Sequence, residues 1–170
     1  MADVNATETG VWSVGGYNNE ITVNPTINLS SYAVGQTVGG SITFSVFRTI
    51  GQPSGIIDNF WVASKGGATG PLTIYIFCKP LAASTNTDHA SFVFGNSDIS
   101  SLVTTPFVLS PAIIGSGTTA SFAQANLAIS TKNLENNPNT NLYVIAVETT
   151  SAQTYLTTTD LIFGMNIRAD

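Results

Sequence analysis

His89 is the single histidine of the chain, and Asp88 precedes it. A Ser-His-Asp relay needs an imidazole held in space between a hydroxyl and a carboxylate. Neighbours in extended chain point apart, and no Gly-x-Ser-x-Gly elbow is present. The pair is expected to be loop architecture, with His89 capping a turn beside Asp88. A metal centre would need His89 together with several clustered carboxylates. The acidic residues are dispersed, and neither an EF-hand nor a His-x-x-x-His spacing occurs. Asp58, Asp98, Glu135 and Glu148 fall in different segments. A glycosidase-like carboxylate pair would therefore depend on folding to bring two of them together.

Other local signals reduce to structure. Gly35–Gly40, GQTVGG, is glycine-rich but lacks the Lys-Ser/Thr of a phosphate loop and precedes a strand pattern. It reads as a turn whose glycines take positive φ. Asn5-Ala6-Thr7 and Asn28-Leu29-Ser30 match the glycosylation pattern, which arises by chance in a chain rich in Asn and Thr. Thr157-Thr158-Thr159 places alternate hydroxyls on opposite faces and makes no planar array. Cys78 is alone, so no intramolecular disulfide forms, and it reads as a small buried apolar residue. No catalytic, metal or cofactor residue is assigned, and a non-enzymatic chain without cofactors is expected.

The aromatic residues offer the other chemistry, that of contact. Trp12, Tyr17, Tyr32, Trp61 and Tyr155 are the candidate interface residues. A lectin-like sugar site would use exposed rings, and Tyr32, Trp61 and Tyr155 are its candidates; core or subunit contact is the plainer role for each.

Composition sets the frame for these sites. The chain has 170 residues and is 43% hydrophobic, enough for one domain with a sizeable core. Charged residues make up 9%, against roughly 25% in an average globular chain. The polar surface must then be Thr, Ser, Asn, Gln and Gly, which permits close contact with neighbours and suits assembly proteins. The net charge is −5, and Arg48, Lys65, Lys79, Lys132 and Arg168 stand singly. Phosphate-backbone binding needs clustered cations, so no nucleic-acid partner is expected. No apolar run reaches the roughly 20 residues that span a bilayer, so no membrane partner is expected. The opening MADVNATETG has no cationic or apolar signal-peptide region. Any exit from a cell is expected to use a route such as lysis.

The elements that position these residues are strands. Leu72–Cys78 contains no charge, Gly or Pro; Leu72, Ile74, Ile76 and Cys78 point one way and Thr73, Tyr75 and Phe77 the other. Both faces are largely apolar, which predicts a strand covered on both sides. A polar excursion follows, and Phe92 and Phe94 return the chain to the core at period two. Further strands are expected over Glu20–Leu29, where Pro25 argues for an edge strand or two short strands, and at Ser41–Arg48, Ile56–Ser64, Leu142–Glu148 and Leu161–Arg168. Gly95–Asp98 offers cap chemistry for one short helical turn over Ile99–Val103. The total is eight or nine strands with long polar connections. Few two-residue hairpin signals occur, which disfavours a meander. An all-β, two-sheet β-sandwich of the jelly-roll kind follows, with an N-terminal arm over 1–19 and a single domain over 20–170.

Several segments together resemble a known family. They are Ser31–Phe44 (SYAVGQTVGGSITF), Leu72–Phe77 with Asp88 and Phe92, Asn141-Leu142-Tyr143, and Tyr155 followed by Thr159-Asp160-Leu161. In order and spacing they resemble tailed-bacteriophage head decoration, or cement, proteins, which are encoded near the major capsid protein. The resemblance covers about 26–170. Gln36 stands where that pattern has Asp, and the N-terminal segment is an addition. The resemblance implies a protein on the outer surface of the virion capsid, made in the bacterial host cytoplasm. It also implies that the major capsid protein is the partner, that the protein is a homotrimer, and that it has no enzymatic activity. The competing expectation from the aromatics is a carbohydrate-binding, lectin-like module used for surface adhesion.

Overall fold

The computed structural model describes residues 17–46, 55–115, 119–130, 141–150 and 152–169. The strands are β1 (Tyr17–Val23), β2 (Thr37–Ser45), β3 (Gly55–Ser64), β4 (Leu72–Phe77), β5 (Phe107–Leu109), β6 (Ala112–Ile113), β7 (Ser121–Ser130), β8 (Asn141–Glu148) and β9 (Leu161–Ala169). They form a five-stranded sheet in the order β1-β9-β3-β7-β6 and a four-stranded sheet in the order β2-β8-β4-β5. Every pairing is antiparallel.

The pairs nest. β1 lies beside β9, β2 beside β8, β3 beside β7, and β4 beside β5. That is the strand order of a jelly roll, with β6 added at one edge. Nesting explains the scarcity of hairpin signals, because most strands hand the chain to the opposite sheet instead of turning back beside themselves. β1 is an edge strand, as expected, but it ends at Val23: the expected run to Leu29 stops short of Pro25, which has no N–H to give a ladder.

Between the sheets lies one apolar core. Phe60 is at its centre, with ring centroids 5.8 Å from Phe44, 6.1 Å from Phe107 and 6.1 Å from Phe163. Period-two alternation supplies the rest: Leu72, Ile74 and Ile76 from β4, Leu142, Val144 and Ala146 from β8, and Phe163, Met165 and Ile167 from β9 are all buried.

The expected arm boundary moves. Residues 1–16 lie outside the described residues, and Tyr17–Asn19 are the first residues of β1, paired with Ala169, Arg168 and Ile167. The expected start of the second strand moves as well, from Ser41 back to Thr37. A bulge between Val38 and Ser41 lets the pairing with β8 continue across Gly39-Gly40. Both glycines have positive φ, 77° and 64°. A side chain at either would strike Pro25 or the Asn86 carbonyl, so local sterics require the glycine pair.

Candidate functional site

The two outer faces of the sandwich are built differently. On the four-stranded sheet, Tyr75 and Phe77 of β4 and Tyr143, Ile145 and Val147 of β8 point away from the main core. The chain between β4 and β5 folds back over them. Leu81, Phe92, Phe94 and Leu102 from that excursion complete a second apolar cluster. Phe92 and Phe94, expected to rejoin the core, pack instead on the outer face of the sheet, because Tyr75 and Phe77 offer them apolar surface there. Tyr75 lies 4.7 Å from Phe92 and 6.3 Å from Phe94, and Phe77 lies 6.1 Å from Phe94. The expectation that β4 is covered on both faces therefore holds, and the cover is the chain's own excursion.

Carboxylates pin that excursion. Asp98 sits in the short 3-10 helix Asn96–Ser101 and accepts backbone N–H bonds from Ala82 (3.1 Å), Ala83 (3.1 Å) and Ser84 (2.7 Å). Burial pushes its pKa up, but the Ser84 side chain and these three N–H groups outweigh burial and hold it at about 2. Asp98 thus caps the 82–84 backbone and not its own helix. Asp88 accepts from the Asn28 N–H (2.9 Å), the Tyr32 hydroxyl (2.7 Å) and the Gly39 N–H (2.7 Å). His89 takes φ 62°, with Nε2 3.1 Å from the Ser31 carbonyl and its ring edge-on to Tyr32 at 4.9 Å. Asp88 and His89 are loop architecture, as expected.

The face of the five-stranded sheet is open: among the described residues, no strand or helix lies across it. Register defines its rows. Ile162, Ala63, Phe122 and Ala112 stand side by side across β9, β3, β7 and β6. The next row is Thr22, Gly164, Trp61 and Gln124. Trp61 is only partly exposed because its ring lies over Gly164, where any side chain would collide with the indole, and packs 5.8 Å from Phe122. The third row is one of amides, with Asn166 donating to Asn59 (3.0 Å), and Gln124 donating to Asn126 (3.1 Å) alongside it; the bulge between Ile57 and Asn59 follows. An exposed ion pair, Arg168–Asp58 at 3.0 Å, closes that end. The arrangement is an aromatic and aliphatic centre bordered by amides, the composition of an interface core and rim.

The structure sorts the five candidate interface residues. Trp61 is on the open face. Tyr17 begins β1 at the edge of the same sheet. Trp12 lies outside the described residues. Tyr32 and Tyr155 correct the expectation: they are 0% and 3% exposed and pack edge-on to each other at 5.4 Å inside the chain. Tyr32 is drawn in because its hydroxyl bridges the Asn28 N–H (2.6 Å) and Asp88, which satisfies a buried polar tip. Burial raises the pKa of both phenols. Among the carboxylates, Asp58 is surface-paired, Asp98 clasps a loop, and Glu148 faces the end of the core. Glu135 lies outside the described residues. No group of three or more His, Cys, Asp or Glu side chains is placed to hold a metal among the described residues. No helix among them is long and apolar enough to cross a membrane.

Two residues were missed in the sequence. Phe122 opens β7 at a position where wide apolar spacing hid its outward direction. Gly164 interrupts the outward face of β9 with no signal except its smallness, and its partner is known only from the register. No protein-family model matches the chain, and no curated protein is significantly similar to it.

Proposed function

We propose that the chain is a structural protein of a tailed-bacteriophage head, a decoration or cement protein. It binds the outer surface of the expanded capsid and bridges major capsid protein subunits, as a homotrimer. The observation that carries this reading is the open face with Trp61 stacked on Gly164 beside Phe122, against a second face sealed by the chain itself. A chain with only 9% charged residues, and a face with an aromatic centre, suit permanent contact. The ordered resemblance over 26–170 supplies the partner. Mechanistically, each cement molecule makes several modest contacts. Holding one raises the effective concentration for the next, so small interfaces become collectively tight and oppose rupture.

The test is co-sedimentation with expanded heads, combined with light scattering of the free protein. Binding by a trimer is expected; a monomer that stays in the supernatant overturns the reading. The carbohydrate-binding alternative is weakened, because two of its three candidate rings, Tyr32 and Tyr155, are buried. A glycan array would restore it if saturable binding were lost on replacing Trp61.

A further inference from the structure

Glu148 ends β8 on the core-facing side of the strand, in line with Leu142, Val144 and Ala146. It is 0% exposed, and neither carboxyl oxygen is within full hydrogen-bond geometry of a described donor; the Tyr155 hydroxyl and the Thr149 N–H are the donors that approach it. It lies at a joint where three segments meet. From the 65–71 loop, Gly70 approaches so closely that a Cβ there would sit 2.6 Å from Oε1. From the 152–160 segment come Gln153, which accepts the Gly70 N–H at 3.0 Å, and Tyr155. From the 32–36 turn, Tyr32 exchanges backbone bonds with Gln153 (2.8 and 3.0 Å), and the Gln36 carbonyl accepts the Glu148 N–H (2.9 Å).

No described cation compensates this carboxyl. The titratable and charged groups around the joint are two phenols, two acids, one lysine and one histidine. Tyr155 and Tyr32 are buried phenols. Asp160 is taken by the Ser64 hydroxyl and the Gly66 and Leu156 N–H groups. Asp88 is taken by Asn28, Tyr32 and Gly39. Lys65 points its amine to the Thr159 carbonyl at 3.3 Å, and His89 lies beyond Tyr32 with Nε2 at the Ser31 carbonyl. A buried charge without a partner is strongly disfavoured, so the closed joint suits only the neutral acid.

We infer that Glu148 is a proton-operated latch. Neutral, it lets the 65–71 and 152–160 segments close over the end of the core; ionised, it opens that joint. Burial pushes its pKa from 4.5 to about 7, and the Thr149 N–H and the Tyr155 hydroxyl offset this only in part. The Thr149 N–H is itself given to the Pro71 carbonyl at 3.0 Å. Between pH 4.5 and 7 the folded chain holds a proton that the unfolded chain has lost. The stability from this group is therefore complete below pH 4.5 and is lost as pH rises through about 7.

The experiment is an NMR titration of the full chain, following the Glu148 side-chain carboxyl carbon and the hydrogen-exchange protection factors of the Gly70, Tyr32 and Gln153 amides. The expected midpoint is near pH 7, with protection at the three amides falling more than about tenfold between pH 6 and 8. Glu148→Gln should hold protection constant over that range. A midpoint near 4.5 overturns the latch, as does protection that ignores the titration or an E148Q profile matching the parent. If E148Q does not fold, the titration of the unaltered chain decides alone.

Discussion

The two outer faces of this sandwich carry similar side chains and meet different fates. Tyr75 and Phe77 are covered by Phe92 and Phe94 of the 79–103 excursion, which buries Phe77 fully and leaves the other three rings partly buried. Trp61 and Phe122 form a smaller pair on the opposite sheet, with no described element above them. The difference is not hydrophobicity. It is that one face has a long connection returning across it, held down by Asp98. Aromatic residues on a sheet exterior thus serve folding where a loop covers them. Where no described element does, as at Trp61 and Phe122, they stay partly exposed, and the proposed capsid contact would use them.

The largest effect should come from the sealed face. Phe77→Ala should lower unfolding free energy by about 3–5 kcal/mol in chemical denaturation, as expected for a fully buried ring. A loss below about 1 kcal/mol would show that the cluster is loose and the two faces are alike. Removing the clasp should come next. Asp98→Ala leaves the Ala82, Ala83 and Ser84 N–H groups without their acceptor and should cost about 3 kcal/mol. The pH dependence sharpens this test. Asp98 has a depressed pKa, so its contribution is complete above the ordinary 3.8 and is lost as pH falls through about 2. That contribution is about 2 kcal/mol, and D98A should flatten the stability curve between pH 4 and 2.

The open face should respond in the opposite sense. Trp61→Ala should cost about 1–2 kcal/mol of stability, yet weaken capsid association roughly 30-fold or more, as a central interface aromatic does. Equal losses in both would make Trp61 a packing residue. The smallest stability effect belongs to the N-terminal segment. Deleting residues 1–16 should change stability by no more than about 0.5 kcal/mol while weakening capsid binding. The cut must stop there, because Tyr17–Val23 pairs along its whole length with β9.

Much of this comparison was legible in the sequence. The unbroken apolar run Leu72–Cys78 announced a strand covered twice, but Phe92 and Phe94 were expected in the core, and only the fold shows that they supply the cover instead. Asp88-His89 in a polar loop announced architecture. Pairing was not legible: that β3 lies between β9 and β7, and so that Trp61 meets Gly164 and Phe122, depends on contacts about 60 to 100 residues apart, which local periodicity does not encode. Tyr32 and Tyr155 were misplaced for a related reason. Their segments are turn-rich and polar, and only the tertiary bridge Tyr32–Gln153 carries the rings inward. Glu148 could have been found, since period two in LYVIAVE sets it on the same face as Leu142, Val144 and Ala146.

The central claim is that the open sheet face joins this chain to a capsid lattice. Co-sedimentation of the parent chain and a Trp61→Ala/Phe122→Ala double variant with expanded heads tests it most directly. The parent should pellet saturably with the heads, and the double variant, still folded by circular dichroism, should stay in the supernatant. A parent that does not pellet, or a double variant that pellets equally well, contradicts the claim.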